Sequence, residues 1–286
     1  MDSSNAKALD PVVGILKYQA LMLTVVILAK NEEERIGRAV SSIPPGWPLV
    51  VLDSFSTDNT LLEVKRCYKG PSEQLTLVSQ IWKGFVQTRN ESRHWVTTDW
   101  VLWLDADEWL SPELCQEIQT ELNGAPRHLT YKIPRQSVFL GRVIRHSGWG
   151  KDRKTRLGRT RNVHWLAGPQ GGDVHEDLFA LSTQTSSGWL KHCLGHEPFR
   201  DVSEQEQTNR RYAELLAQAL AKKFQATGRS APPRWWIEIK VLFKLFENYV
   251  WKRGFLDGRQ GWIICLGSAR SLRWRLERLR EILGSP

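Results

Sequence analysis

Four short apolar runs separated by helical patterns leave this chain few architectures. Leu21–Ala29 is rich in β-branched residues, Leu49–Leu52 is apolar throughout, Leu75–Ser79 is a third short strand, and Trp100–Leu104 is the fourth. Continuous apolar runs of this length mark strands covered on both faces. Between them, Glu33–Ser42 carries Ile36, Ala39 and Val40 at helical spacing and is closed by Pro44-Pro45. A second helix runs through Leu61, Leu62, Val64 and Cys67, and a third, Phe85–Trp95, carries Arg89 and Asn90. A β-α-β-α-β-α-β alternation predicts a doubly wound, mostly parallel α/β sheet over 21–110, with helices on both faces.

In such sheets ligands collect at the carboxyl ends of the strands. Here those ends are polar: Asn31 and Glu32 after the first strand, Asp53 after the second, Asp105 and Asp107 after the fourth. Two carboxylates one residue apart at a strand end can clamp a hard cation, Mg²⁺ or Mn²⁺, together with substrate diphosphate oxygens. Alternatively, Asp105–Glu108 are ordinary acids ahead of a helix opened by Ser111-Pro112-Glu113. No G-x-G-x-x-G follows the first strand and no P-loop occurs, which excludes the usual dinucleotide and Walker sites.

Charge is unevenly spread. Residues 1–124 carry 11 basic and 17 acidic residues, 125–229 carry 18 and 9, and 230–286 carry 11 and 5. An acidic first part suited to a metal is followed by a basic remainder suited to anions. Between Arg127 and Arg161, 11 basic residues face a single acid, Asp152, which reads either as a solvated loop or as a phosphate-recognising stretch. No nucleic-acid-binding pattern accompanies it, so no nucleic acid partner is expected. Cys67, Cys115, Cys193 and Cys265 have no metal-ligand spacing, so a reducing compartment is expected. Residues 1–20 read as a loose leader, and no run approaches the roughly 20 apolar residues of a membrane span. Helices are expected over Glu204–Lys223, over Trp235–Arg253 after Pro232-Pro233, and over Arg270–Leu283. The second of these is aromatic and basic together, and reads either as a core helix or as one lying on an anionic membrane surface.

Taken in order, Val-Val-Ile-Leu-Ala-Lys-Asn-Glu-Glu, Val-Val-Leu-Asp-Ser-Phe-Ser-Thr-Asp-Asn-Thr, Gln-Thr-Arg-Asn and Leu-Asp-Ala-Asp-Glu resemble the family 2 nucleotide-sugar glycosyltransferases of the GT-A fold. Phe139-Leu140-Gly141-Arg142, Ile144–Trp149, Val174-His175-Glu176 and Arg253–Gly258 resemble the bacterial subgroup of lipopolysaccharide core glucosyl transfer. The similarity runs from about Leu21 to Gly267. The resemblance implies a GT-A catalytic domain over 21–200, with a nucleotide part to 124 and an acceptor part from 125. It also implies a helical, basic-aromatic region over 201–286. It assigns Asp53, with Asn31 and Glu32, to the uridine or ribose, Arg89 to the nucleotide, and Asp105 and Asp107 to the divalent cation. Glu176 falls where the family keeps its base, with Asp177 and Asp173 as rivals and His175 as a possible orienter, and His196 resembles a late metal ligand. The family's usual small residue or glycine is replaced by Phe55.

The expected activity is an inverting, metal-dependent transfer of a hexose, glucose by resemblance, from a nucleotide-sugar donor to a lipid-linked glycan acceptor. The enzyme would be cytoplasmic and peripheral at the inner face of the membrane. The rivals are a nucleotidyltransferase, for which the Gly-rich phosphate loop is missing, and a silent glycan- or lipid-binding protein of the same fold.

Overall fold

A computed structural model describes residues 23–150, 152–167, 176–182 and 186–284. The leader, Asp173 and His175 lie outside these residues. The chain forms two compact units: the first takes it up to Ile133 and then Thr155–His192, the second takes Pro134–Lys154 and the chain from Cys193 onward.

In the first unit, the apolar runs become β1 (Leu23–Ala29), β2 (Leu49–Asp53), β3 (Leu75–Ser79) and β4 (Trp100–Asp105). They alternate with α1 (Ile36–Ser41), α2 (Thr60–Cys67) and α3 (Phe85–Ser92), the last extended by a 3₁₀ turn over Arg93–Trp95. All four strands are parallel in the order β3-β2-β1-β4, with Ala29 opposite Asp53 and Leu28 opposite Asp105. The crossovers therefore bring the ends of β1, β2 and β4 to one sheet edge, as the alternation requires. After β5 (Glu108–Leu110) comes α4 (Pro112–Asn123), whose Ser111 cap accepts from Leu114 N at 3.1 Å. β5 separates the strand-end acids from this helix, so they are not its cap.

β6 (Thr130–Phe139) runs into the second unit and turns through Leu140-Gly141 into β7 (Arg142–Val143). Both turn residues have positive φ, +48° and +74°, as a two-residue hairpin demands. β8 (Arg153–Arg159) pairs antiparallel with β4, with Trp100 opposite Arg159. The second half of the basic run, expected as a loop or a recognition stretch, is therefore a sheet strand. β9 (Val163–Ala167) and β10 (Glu176–Ala180) form a hairpin pair with Glu176 opposite Ala167, and β11 (Gly188–Trp189) pairs with β6. The core of this unit gathers Val26, Leu52, Val101, Trp103, Trp165 and Leu178.

In the second unit, β12 (Leu194–His196) runs parallel to the distal half of β6. Helices α5 (Val202–Ala226), α6 (Arg234–Phe246) and α7 (Gly258–Ile282) pack through Ala221, Ile237, Val241, Ala269 and Leu279. α7 begins at Gly258, twelve residues before the expected Arg270. Glycines at 258, 261 and 267 argue against a helix by propensity, yet Gly261 is required by packing, since a Cβ there would lie 2.0 Å from Gly254 O. α6 passes into a π-helical turn over Glu247–Trp251. It is two-sided. Ile237 and Val241 are buried, whereas Trp235, Ile239, Leu242, Phe243 and Phe246 are more than half exposed. Trp251, in the turn that follows, is 76% exposed. Among the described residues, no helix is long and apolar enough to cross a membrane.

Candidate active site

The first cluster is made by the loops after β1 and β2, which are stitched together by short polar bonds. Asp53, buried at the end of β2, accepts from Ser56 N (3.0 Å) and Ser56 Oγ (2.5 Å). Ser56 Oγ in turn accepts from Asn31 N at 2.8 Å, while Asn31 Oδ1 accepts from Thr57 N at 2.8 Å. Thr60 Oγ1 accepts from Glu32 N at 2.8 Å and donates to Asp58. Slight burial raises the Asp58 pKa, but donors from Thr60 and Glu33 outweigh it and hold this carboxyl below its ordinary value. Asn31, Glu32 and Asp53 are thus brought into one cluster. Asn31 and Phe55 both take the left-handed conformation, at φ +55° and +58°. Asn tolerates it; Phe does not, which explains why a small residue or glycine suits position 55.

The second cluster is electrostatic. Arg89, 2% exposed, donates through Nη2 to Asp105 Oδ1 at 2.7 Å and through Nη1 to Glu176 Oε1. Its guanidinium lies over the Trp165 ring, 4.4 Å from the centroid. α3 is held in place for this task. Asn90 makes a two-way pair with the Trp165 backbone (2.9 Å each way), Arg93 donates to Val163 O at 2.6 Å, and Ser92 Oγ accepts from Trp103 Nε1 at 3.0 Å. Asp105 Oδ2 is taken by Arg156, which also reaches Glu108 Oε1 at 3.3 Å, and Glu108, wholly buried, accepts from Asp105 N at 3.1 Å. Burial pulls the Arg156 pKa down, but the carboxylates of Asp105, Glu108 and Glu176 outweigh it and hold it above its ordinary value.

Arg89, Asp105 and Glu176, three residues separated widely along the chain, therefore meet in one network centred on the buried Arg89. Arg89, expected at the nucleotide, has its guanidinium on two carboxylates. Arg156, Glu108 and Trp165 had not been singled out. Arg156 was hidden within a basic run that read as undifferentiated, although the neighbouring Thr155 and Leu157 carry a strand signal.

A hard cation would need carboxylate oxygens here. Both oxygens of Asp105 are held by arginines, so Asp105 suits that role poorly. Asp107, half-buried in the turn between β4 and β5, fits an ion that arrives with a diphosphate, because Mg²⁺-like ions typically take one or two protein carboxylates and fill the remaining positions with phosphate and water. Among the described residues, no three His, Cys, Asp or Glu side chains gather to hold a metal by themselves. His196 belongs to the second unit. It is buried, with Nδ1 3.2 Å from Ser137 Oγ, and lines a cleft of about 410 Å³ with Arg135, Asp152 and Trp149. Burial raises the Asp152 pKa, but the Arg135 guanidinium, donating from Nε at 2.7 Å, outweighs it and holds the carboxyl below the usual aspartate range.

An uncharacterized glycosyltransferase of Rickettsia typhi is 32% identical over 122 residues, 42% of this chain and 40% of the relative. The lipopolysaccharide core biosynthesis glycosyltransferase LpsC of Rhizobium meliloti is 24% identical over 42% of this chain and 44% of its own. The crystal structure of S. aureus TarS 1–349 aligns over 92% of this chain and 90% of its own, at 15% identity and a TM-score of 0.43. The matching region thus spans less than half the length of these curated relatives. The model of glycosyl transferase family 2 matches residues 24–175, a stretch that holds both strand-end clusters except Glu176. The chain belongs to glycosyl transferase family 2, and its α/β fold is of the GT-A class.

Proposed function

We propose that this protein is an inverting glycosyltransferase that moves a hexose, glucose by resemblance, from a nucleotide-sugar donor to a lipid-linked glycan acceptor, as in lipopolysaccharide core assembly. The observation that carries the reading is the meeting of Asp105 and Glu176 on Arg89, two residues from Asp107 and at the sheet edge that also carries Asp53. In this reading the stitched loops around Asn31, Glu32 and Asp53 receive the nucleoside. Asp107 would hold Mg²⁺ or Mn²⁺ on the diphosphate, and such an ion offsets the charge that collects on the leaving group. Glu176 takes the proton of the attacking acceptor hydroxyl. Arg89 is a positioning residue, which fixes the β10 acid against the end of β4. The family match and the LpsC relative support the transferase class and the lipopolysaccharide setting respectively.

The work site in this proposal is the cytoplasmic face of an anionic membrane. The apolar side of α6 and the exposed Trp251 support it, with Lys240 and Arg253 also exposed. Sedimentation with acidic vesicles that falls as salt rises is the expected result, and no sedimentation with any vesicle refutes the membrane role. The transferase reading is tested by incubating the protein with Mg²⁺ or Mn²⁺ and a panel of sugar nucleotides, scoring nucleoside diphosphate release. Release from at least one donor, abolished in Asp107→Asn, is expected. Absence of release from every donor with either ion refutes it.

A further inference from the structure

Two stretches in the second unit, Ile144–Trp149 and Arg253–Gly258, were noted in the sequence for their resemblance and have no part in the chemistry above. The structure folds them onto each other around one buried acid. Asp257, 2% exposed, accepts from Arg145 N (3.1 Å), His146 N (2.9 Å), His146 Nδ1 (3.1 Å) and Ser147 Oγ (3.0 Å). A backbone bond from Ser147 N to Lys252 O (3.2 Å) closes the assembly.

Its backbone is held in conformations that cost energy. Ser147 and Arg253 have φ of +59° and +55°, Gly148 has +90°, and the preceding turn Glu247–Trp251 is π-helical. A Cβ at Gly254 would meet Cys265 Sγ at 2.6 Å and Asn248 O at 2.8 Å, and one at Gly150 would meet Arg145 O at 1.7 Å. Left-handed non-glycine residues and π turns gather where a particular presentation of side chains is being enforced. What is presented is a cleft of about 720 Å³ whose lining includes Arg145, His146, Lys252, Arg253 and Trp251, and no acid. Lys252 is tied to Glu247 at 2.6 Å. Arg145 and Arg253 are exposed, and among the described residues neither guanidinium meets a carboxylate. Asp257 is turned to the backbone and to His146, so the scaffold acid does not neutralise them.

We propose that this cleft is a phosphate-binding site for a phosphate group carried by the acceptor, gripped by the forks of Arg145 and Arg253. A dianionic group matches paired guanidiniums better than a single carboxylate does. The exposed Trp251 in its lining suits a phosphate at the head of an amphiphile. The inference rests on the transferase reading for its physiological ligand, but the site itself is tested by binding alone.

The probe is inorganic pyrophosphate, titrated by calorimetry into the full chain in EDTA, so that no divalent ion can hold it at Asp107. Binding that weakens at least tenfold in the double variant Arg145→Gln with Arg253→Gln, while Asp107→Asn binds as the wild type does, is the expected result. Both substituted arginines are exposed, so the variant should melt as the wild type does. If it does not, Arg145→Gln alone carries the test. Vesicles of phosphatidylglycerol and of phosphatidylcholine form the second arm. Loss of binding confined to phosphatidylglycerol vesicles assigns the phosphate to a lipid headgroup, and loss with pyrophosphate as well assigns it to a group reachable in solution. No pyrophosphate or phosphatidylglycerol binding by the wild type, or binding indifferent to both arginines, overturns the proposal. Binding here without nucleoside diphosphate release from any donor keeps the site and removes the transferase reading.

Discussion

Arg89 and Arg253 use the same side chain in opposite ways. At the end of β4, Arg89 and Arg156 are turned inward, and their guanidiniums are matched to Asp105, Glu108 and Glu176. In the Asp257 assembly of the second unit, the acid is spent on backbone donors and His146, and Arg145 and Arg253 are left facing water. The first arrangement fixes the positions of acids; the second fixes a loop so that its cations stay available. A count of charges per segment does not distinguish them. The partners do.

The largest contrast should come from deleting one arginine in each region. Arg89→Met leaves the half-buried Glu176 without its arginine and Asp105 with Arg156 alone, and should cost about 2–3 kcal/mol of unfolding free energy in urea, whereas Arg253→Gln should stay within about 0.5 kcal/mol. Equal costs would break the comparison. Next, Asp257→Asn weakens several charge-assisted acceptances and should cost about 1.5–3 kcal/mol, measured the same way.

A smaller effect concerns acid. Since the folded pKa of Asp152 lies below its unfolded value, its contribution is fully present above the unfolded pKa of about 3.9 and is lost as pH falls through the lower folded value. Asp152→Asn should therefore flatten the acid limb of stability below about pH 4, and an unchanged limb would remove Asp152 from that role. Smallest is Phe55→Asn, which relieves a left-handed Phe that is 57% exposed and should raise stability by about 1 kcal/mol, read as an upward shift in melting temperature.

Much of the fold was legible because β1, β2 and β4 are buried on both faces, so nearly every residue in them had to be apolar. The polar strand ends were legible for the same reason, as abrupt stops in those runs. α7 was read short because its first turns are bought with glycine contacts, which no propensity records. β8 was missed because its exposed ends are basic and only Thr155–Gly158 are buried. Within the site, the acids could be named from sequence, but their partners could not. Nothing local connects Arg89 to Glu176, which comes 87 residues later, or Arg156 to Asp105. Phe55 is the exception in which a departure from a pattern pointed directly at a backbone angle.

The strand order also sets a timetable. β1 finds β2 across one helix, and β2 finds β3 across another, so this half of the sheet can assemble from local units as the chain emerges. β4 must return past both to reach the free side of β1, where Leu23 lies opposite Trp100. Arg156 and Glu176 come later still. Asp105 is thus made after Arg89 but well before Arg156, and a nascent chain ending soon after Asp105 would have its sheet half without the complete network. Long-range pairings of this kind are slow to close. The network of Arg89, Asp105, Arg156 and Glu176 is then among the last parts of the first unit to form, and synthesis stalled soon after Asp105 would leave β1–β4 without it.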